Sequence, residues 1–300
     1  MRPPGAHHTT HLRLLYSNRS SSFIVPLPMI WPFQRRKRKI ARIVVEGAID
    51  GGTRKHMLKA LKDIEEQKFP ALLLRINSPG GTVGDSQEIH AALKRLQDKI
   101  KIVVSFGNIS ASGGVYIAMA APHVMANPGT ITGSIGVILR GNNLEGLLDK
   151  VGVSFKVIKS GPYKDILAFD RPMTDPERDI LQALIDSSYN QFVQAVATGR
   201  NLSEEVVRSF ADGRVFTGEQ ALELGLVDRL GMEEDARRWA AELANLDPDK
   251  AETVTFAPSK PVVSRFLSSQ ISGFTALSTG LETLEFELST AGQPLWLYQP

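Results

Sequence analysis

Residues 101–118 read KIVVSFGNISASGGVYIA, and this stretch decides the fold. It begins with β-branched apolar residues, which are typical of a buried strand, and it ends in an apolar segment that opens a helix. Between the two lies the turn Ser110-Ala111-Ser112-Gly113-Gly114. A strand that passes through a glycine-rich turn into a helix is a unit of parallel α/β sheets, and such turns face the usual ligand crevice. We therefore expect Ser112 to lie at the carboxyl edge of a sheet.

Segments of strand and helix character alternate on both sides of this turn, which predicts a mostly parallel α/β sheet flanked by helices. Pro176 suits the first turn of the longest predicted helix, and Asp175 and Ser203 are expected N-caps. The predicted strands are 42–46, 71–77, 101–106, 123–127, 134–139 and 154–159. The predicted helices are about 53–67, 85–98, from 113, 175–197, from 203, 218–225 and 232–244.

Charge divides the chain into an arm and a body. Residues 1–40 hold eight Lys/Arg and no acid, whereas the whole chain has a net charge of only +3. The remainder is thus mildly acidic, and no nucleic-acid-binding surface is predicted. We expect a basic, disordered arm at 1–40, a globular domain at 41–247, and a tail at 248–300. An amphipathic helix pattern over 266–284 in the tail favours packing on this domain or on a neighbouring subunit.

The arm contains an apolar stretch that is too short to cross a membrane. FIVPLPMIWPF (23–33) is broken by three prolines and is followed by the basic block 35–39. Residues 23–39 therefore indicate peripheral contact with an anionic membrane, a disordered arm, or an over-long sequence whose true start is Met29. The sequence leaves two locations undecided: the cytoplasm, or the surface of a membrane to which the protein is peripherally attached. The chain has no cysteine, which excludes disulfides, thiolate metal sites and a cysteine nucleophile.

Two glycine-rich turns follow predicted strands. The first is Asn77-Ser78-Pro79-Gly80-Gly81, and the second carries Ser112. A serine before Gly-Gly at a helix start places its hydroxyl beside unpaired N–H groups. The N–H of Gly113, together with one from Gly80 or Gly81, can form an oxyanion hole. The turns alone are equally compatible with a phosphate-binding or merely tight turn.

The identity of a general base decides between these interpretations. Among the six histidines, only His123 is a candidate for a serine–histidine triad, since three lie in the arm and His56 and His90 lie on polar helix faces. A lysine can replace histidine where burial favours its neutral form. Lys164 follows an apolar predicted strand and has an aromatic neighbour, but most lysines in such turns are solvated. Residue chemistry alone leaves the base undecided.

Five segments, in this order along the chain, resemble the signal peptide peptidase A family over about residues 42–245. They are NSPGG (77–81), ASGGVYIA (111–118), NPGTITGSIGV (127–137), KSGPYKD (159–165) and RVFTGEQALELGLVD (214–228). The resemblance implies a crotonase/ClpP-like fold with Ser112 as nucleophile and Lys164 as base. It also implies that Ser134 orients the lysine and that Gly81 and Gly113 supply oxyanion N–H groups.

The same resemblance implies ring-like homo-oligomers in which the lysine of one subunit completes the serine site of its neighbour. Tyr116 stands where family members often carry the second aromatic of SGGYY, and Val115 replaces the first. Typical members also have an N-terminal membrane anchor, and this sequence departs from them in lacking a convincing one. That departure leaves the compartment and the substrate open.

The prediction is a serine endopeptidase that cleaves signal-peptide remnants or other unfolded or apolar peptides through an acyl-enzyme, with no metal and no cofactor. Two alternatives remain. The first is a crotonase-like acyl-CoA hydratase or isomerase that uses Asp85 and Glu88 as its acid–base pair. The second is a catalytically silent scaffold for membrane-associated assemblies.

Overall fold

The computed structural model describes residues 38–258 and 292–298. The described strands are β1 Lys39–Glu46, β2 Ala71–Ser78, β3 Gly80–Thr82, β4 Lys101–Ala111, β5 His123–Ala126, β6 Ile131–Gly133, β7 Val215–Phe216, β8 Arg229–Leu230, β9 Glu252–Phe256 and β10 Leu295–Leu297. The described helices are α1 Gly51–Glu66, α2 Val83–Gln97, α3 Gly113–Ala118, α4 Glu145–Val151, α5 Asp175–Arg200, α6 Glu204–Arg208, α7 Gly218–Glu223 and α8 Glu233–Leu243.

The main sheet has the strand order β7-β6-β4-β2-β1-β9. Strand β5 branches off by pairing with β4, and β8 pairs with β5. All pairs of this sheet are parallel except β6 with β7. Strand β4 is long enough to pair twice: its first half lies beside β5, and its last three residues lie beside β6. A second, two-stranded sheet joins β3 to β10 in antiparallel register. The glycine-rich turns after β2 and β4 therefore emerge at the same edge of the main sheet.

Helices cover both faces of the sheet, which explains why β2 is an unbroken apolar run. Leu72, Leu74 and Ile76 pack against α1, α2, α3 and α5, whereas Ala71 and Leu73 pack against α8 on the opposite face. Successive strand residues point to opposite faces, so only a sheet covered on both sides buries every residue of ALLL. The predicted α/β architecture is confirmed.

Besides shifts of a few residues at the ends of elements, three differences from the sequence prediction have a clear physical reason. The predicted strand 154–159 has no regular structure, because no strand in the described residues lies beside it to complete its hydrogen bonds. In place of 134–139, the strand is Ile131–Gly133, and Ile138 makes only an isolated bridge. Thr174, not Asp175, caps α5, because Glu177 accepts a hydrogen bond from the Thr174 N–H at 2.9 Å.

Strands β9 and β10 lie beyond residue 247, although the sequence analysis predicted that the globular domain ends there. Strand β9 pairs with β1, and Lys39, the last residue of the basic block, forms an ion pair with Glu252 at 2.6 Å. The apolar stretch 23–33 and the helix pattern 266–284 lie outside the described residues. Among the helices at 38–258, none has the length and apolar character needed to cross a bilayer.

Candidate active site

Ser112 occupies a sharp turn between β4 and α3. Its backbone has φ 52° and ψ −115°, a conformation that costs free energy for any residue with a side chain. The Ser112 N–H donates to the carbonyl of Gly133 at 2.8 Å, which fixes the turn against β6. The residue is 1% exposed, and its Oγ has no hydrogen-bond partner among the described residues. A strained, buried hydroxyl without a partner is a candidate for chemistry rather than for structure.

The first glycine-rich turn lies against Ser112. A Cβ atom placed on Gly80 would lie 2.7 Å from the Gly113 nitrogen and 3.0 Å from Ser112 Cβ. Gly80 also has φ +105°, which only glycine adopts readily. The turn is fixed from its other side by Ile49, whose N–H donates to the Gly80 carbonyl at 2.8 Å and whose carbonyl accepts from the Thr82 N–H at 2.9 Å. The structure thus brings the three predicted oxyanion glycines to the serine.

Gly80→Ala is expected to reduce peptide hydrolysis by about 100-fold, because the new methyl group would overlap the Trp296 carbonyl oxygen and displace the Gly113 amide beside Ser112. The positive φ adds a stability loss of about 1–3 kcal/mol. Activity and thermal unfolding of the purified variant measure the two effects. Gly84→Ala is the matched control, since a Cβ there has no neighbour within 4 Å. Equal activity of the two variants would contradict a role for this space in the reaction.

Ser134 follows β6 directly and is the next neighbour of the Ser112 turn. Strand β6 pairs Gly133 with Ala111, and the Ser134 N–H donates to the carbonyl of Arg214 at 2.7 Å. Ser134 also has a positive φ, 50°, and is 8% exposed. The predicted pair of serines therefore lies on adjacent strands, with both backbones held in the left-handed region.

Lys164 does not contact Ser112 within the chain. It is exposed in the long connection between α4 and α5, where its N–H donates to the Gly161 carbonyl at 3.3 Å. Its ammonium group forms no ion pair and no hydrogen bond in the part of the chain that the structure describes. The predicted nucleophile and base are thus separate in one copy of the chain.

The connection that carries Lys164 is held by Arg171. The Arg171 guanidinium donates to Asp165 at 2.9 Å and to Glu177 at 2.5 Å. These hydrogen bonds lower the pKa of both carboxyl groups to about 2. Lys159 also donates to Asp165, at 2.6 Å. The lysine turn is therefore attached to the start of α5 by charge-assisted hydrogen bonds.

Arg171→Met is expected to lower the unfolding midpoint by a few degrees at pH 7, because Glu177 keeps its charge and loses its partner. Since both folded-state pKa values lie below those of the unfolded chain, the stabilisation is complete above about pH 4.5 and is lost as the pH falls towards 2. The difference between wild type and variant should therefore shrink in that window. Thermal unfolding from pH 7 to pH 2.5 measures it. A constant difference would mean that Arg171 stabilises the loop by packing.

None of the three histidines in the described residues forms a hydrogen bond with the Ser112 hydroxyl. His123 pairs with Val103 at the opposite end of β4 and packs on Trp239, with ring centroids 4.8 Å apart. Val103 lies nine residues before Ser112 along the chain, so His123 lies near the opposite end of the strand from the serine turn. Burial lowers the pKa of His90 to about 4, and its ring packs on Tyr116 at 4.9 Å. Burial also lowers the pKa of His56, which lies on α1.

The carboxylates of the alternative acid–base pair are already engaged. Arg54 contacts Asp85 at 3.2 Å and Glu88 at 2.8 Å, and the Thr82 hydroxyl also donates to Asp85.

One residue of the cleft was missed by the sequence analysis. The C-terminal strand β10 lies along β3, beside Gly81, and buries Trp296 completely. Its sequence gives no local signal for this position, because the partner strand lies more than 200 residues away.

The chain was compared with known protein families and relatives. A model of peptidase family S49 matches residues 94–247, and a Clp protease model matches residues 34–130. A putative protease of Synechocystis sp. is 69% identical over 277 residues, which cover 90% of this chain and 100% of the relative. The putative signal peptide peptidase SppA of Enterococcus faecium is 39% identical, covering 66% and 62%. Protease 4 of Salmonella typhi is 38% identical, covering 60% and 29%.

The chain thus spans the whole of the Synechocystis relative and less than two thirds of the other two. The Clp protease match and the observed sheet confirm the predicted ClpP-like α/β fold. The resemblance to signal peptide peptidases is confirmed as well, and the fold and these matches lead to one assignment. The chain belongs to peptidase family S49.

Proposed function

We propose that this protein is a serine endopeptidase in which Ser112 is the nucleophile and Lys164 of a neighbouring copy is the general base. The observation that carries the proposal is the state of Ser112. Its hydroxyl is buried, has no hydrogen-bond partner within residues 38–258 and 292–298, and lies on a strained turn that contacts the first glycine-rich turn. Nothing in the packing of the fold requires a hydroxyl there, whereas a nucleophile needs one that is free to react.

The oxyanion of the tetrahedral intermediate is expected to bind the N–H groups of Gly113 and Gly81. Gly113 is the first residue of α3, so its N–H has no partner within the helix. The Gly80 carbonyl and the Thr82 N–H are both used by Ile49, and successive strand residues direct their polar groups to opposite sides. The Gly81 N–H is therefore directed away from Ile49, to the side where β10 lies. Two fixed N–H donors at one point are the arrangement that stabilises a developing oxyanion.

Self-association of the chain would bring the missing base to the site. Helix α4 and the connection that follows it, which carries Lys164, expose a set of large apolar side chains, which is unusual for the surface of a monomer. They are Leu147, Val151, Val153, Phe155, Val157 and Ile158, each 45% exposed or more. Burying this surface against a second copy would desolvate Lys164 at the same time. Ser134, which directly follows the strand beside Ser112, is then expected to hydrogen-bond the incoming lysine.

The proposed reaction has two steps. Neutral Lys164 takes the proton of Ser112 as Oγ attacks the scissile carbonyl, and that proton then passes to the leaving amine. Water attacks the resulting ester with the same lysine as base, which frees Ser112 and a new carboxylate. Extended apolar peptides of unfolded proteins or signal-peptide remnants are the proposed substrates. The engagement of Asp85 and Glu88 by Arg54 disfavours acyl-CoA chemistry.

A fluorophosphonate probe tests this function, because it labels only an activated serine. The assembled protein is expected to be labelled at Ser112, and labelling should become faster from pH 6 to pH 9 because a lysine acts as base only when neutral. Peptide mapping by mass spectrometry locates the label, and binding of an acyl-CoA serves as the comparison. Absence of labelling in the assembled oligomer would favour a silent scaffold. A labelling rate that peaks near pH 6 would count against a lysine base.

A further inference from the structure

Strand β4 contains a bulge just before the serine turn. Its pairing with β2 is regular as far as Phe106 and resumes at Ser110. Between these two points β2 has a single residue, Asn77, whereas β4 has three, residues 107–109. Extra residues on one strand bend it and leave backbone groups without partners in the ladder. Beyond the bulge, the last three residues of β4 pair with β6.

The bulge determines where Ser112 lies relative to Gly80. Ser78 and Ser110 form the last pair of β2 with β4, so Gly80 and Ser112 each lie two residues beyond it. In a ladder without the two extra residues, Ser112 would instead lie opposite Thr82, displaced from Gly80 by about 7 Å along the strand. In the structure, the position of a Cβ on Gly80 is 3.0 Å from Ser112 Cβ. The bulge therefore brings the proposed nucleophile to the proposed oxyanion glycines.

The side chain of Asn77 occupies the inside of the bulge. Its Oδ1 accepts a hydrogen bond from the Ile109 N–H at 3.2 Å. A Cβ on Gly107 would lie 2.7 Å from the same oxygen, so β4 passes this side chain at a residue that has none of its own. The Asn77 carbonyl in turn accepts from the Gly47 N–H at 3.1 Å, which fixes the residue to the end of β1. The amide oxygen thus connects a fixed strand to the bulge.

Two threonines hold the bulge from the opposite edge of β4. Thr130 Oγ1 donates to the Gly107 carbonyl and Thr132 Oγ1 donates to the Ser110 carbonyl, each at 2.7 Å. Both threonines are at most 1% exposed. Buried backbone groups need hydrogen-bond partners, and a bulge removes those that the ladder would supply. Side chains on both neighbouring strands therefore satisfy this part of β4.

We propose that Asn77 is a positioning residue for the nucleophile, because its side-chain oxygen holds the bulge that aligns Ser112 with Gly80. This inference rests on the proposed function and deepens it. Asn77 acts through the backbone of Ile109 and not on the reacting atoms. A misplacement of about 1 Å at the reacting groups costs on the order of 100-fold in rate, so a small relaxation of the bulge is enough to impair the reaction. The segment NSPGG then supplies both the oxyanion glycines and the support of the serine.

The test combines fluorophosphonate labelling of Ser112 with peptide hydrolysis. Asn77→Leu removes the acceptor at similar size, and it is expected to lower the labelling rate and kcat about 30-fold or more. KM should stay within about threefold, because groups that bind the peptide are retained. Asn77→Asp keeps an acceptor oxygen in the same place, and both rates should stay within about fivefold of wild type. Val103→Ala, which opens a cavity in the first half of β4, is the control: it should lower the unfolding midpoint and leave the labelling rate unchanged within about twofold.

Gly107→Ala tests the same bulge with Asn77 intact. Its new methyl group displaces the Asn77 oxygen, so a loss of kcat similar to that of Asn77→Leu is expected, and this variant decides the matter if Asn77→Leu does not fold. Wild-type rates in either folded variant would overturn the positioning role and leave the proposed function standing. Equal losses in Asn77→Asp and Asn77→Leu would overturn it too, since the acceptor oxygen would then be irrelevant. A wild-type protein that is not labelled at Ser112 would overturn both.

Discussion

Ser112→Ala is expected to abolish peptide hydrolysis, with a rate loss of about 10⁴-fold or more, while the protein remains folded. The loss is large because the acyl-enzyme forms on the Ser112 hydroxyl. Stability should change by no more than about 0.5 kcal/mol, since the hydroxyl makes no hydrogen bond to the described residues that the substitution could remove. Hydrolysis of an unfolded protein and thermal unfolding, measured on the same preparation, check both parts.

Ser110→Ala provides a closely matched control. Ser110 lies two residues earlier on β4, is also completely buried, and also has an Oγ without a partner. It differs from Ser112 in lying within the strand rather than on the strained turn. We expect its alanine variant to retain activity within a few-fold. If Ser110→Ala were inactive and Ser112→Ala active, the nucleophile would have to be reassigned.

Lys164→Ala is expected to lower the rate of peptide hydrolysis about 10³-fold or more. Mixing this variant with Ser112→Ala should restore part of the activity. If the lysine comes from a neighbouring copy, oligomers assembled from equal amounts of Lys164→Ala and Ser112→Ala contain some sites with both groups intact. For a ring with random order, about one quarter of the sites are complete. Co-refolding the two inactive variants and measuring hydrolysis tests this directly. A mixture that stays inactive would contradict a base supplied by a neighbour.

Two further variants test whether the loss of activity is specific to Lys164. Lys156→Ala removes another exposed lysine from the same connection and should leave the rate unchanged within a few-fold. His123→Ala removes the histidine that the sequence left as an alternative base, and it too should remain active because His123 lies at the far end of β4. An inactive His123→Ala variant whose fold is intact would return the histidine to consideration.

The sheet was predictable because its strands are continuous apolar runs between amphipathic segments. ALLL at 71–74 is fully buried on both faces, and that pattern is visible in the residues themselves. The segment 154–159 shows the limit of this reasoning. Its apolar and β-branched residues fit a strand, but a strand also needs a neighbour, and local pattern carries no information about one. The same limit hid the pairing of β10 with β3.

Within the site, the sequence indicated which residues take part better than it indicated their backbone conformations. The serine before Gly-Gly was predictable because glycines mark close approach of backbones. The positive φ of Ser134 was not, because serine adopts that conformation only when its surroundings impose it. Lys164 could be selected by resemblance alone, since in one copy of the chain it is an exposed lysine like many others.

The hydrogen bonds that shape the nucleophile have a consequence for the order of events during synthesis. Ser112 is held by Gly133, and the next residue, Ser134, is held by Arg214, at the start of the β7 pairing. The turn therefore acquires its geometry only after more than 100 further residues have been made and have folded. Contacts of such long sequence separation form late. A chain still attached to the ribosome is thus expected to lack peptidase activity until its domain is nearly complete.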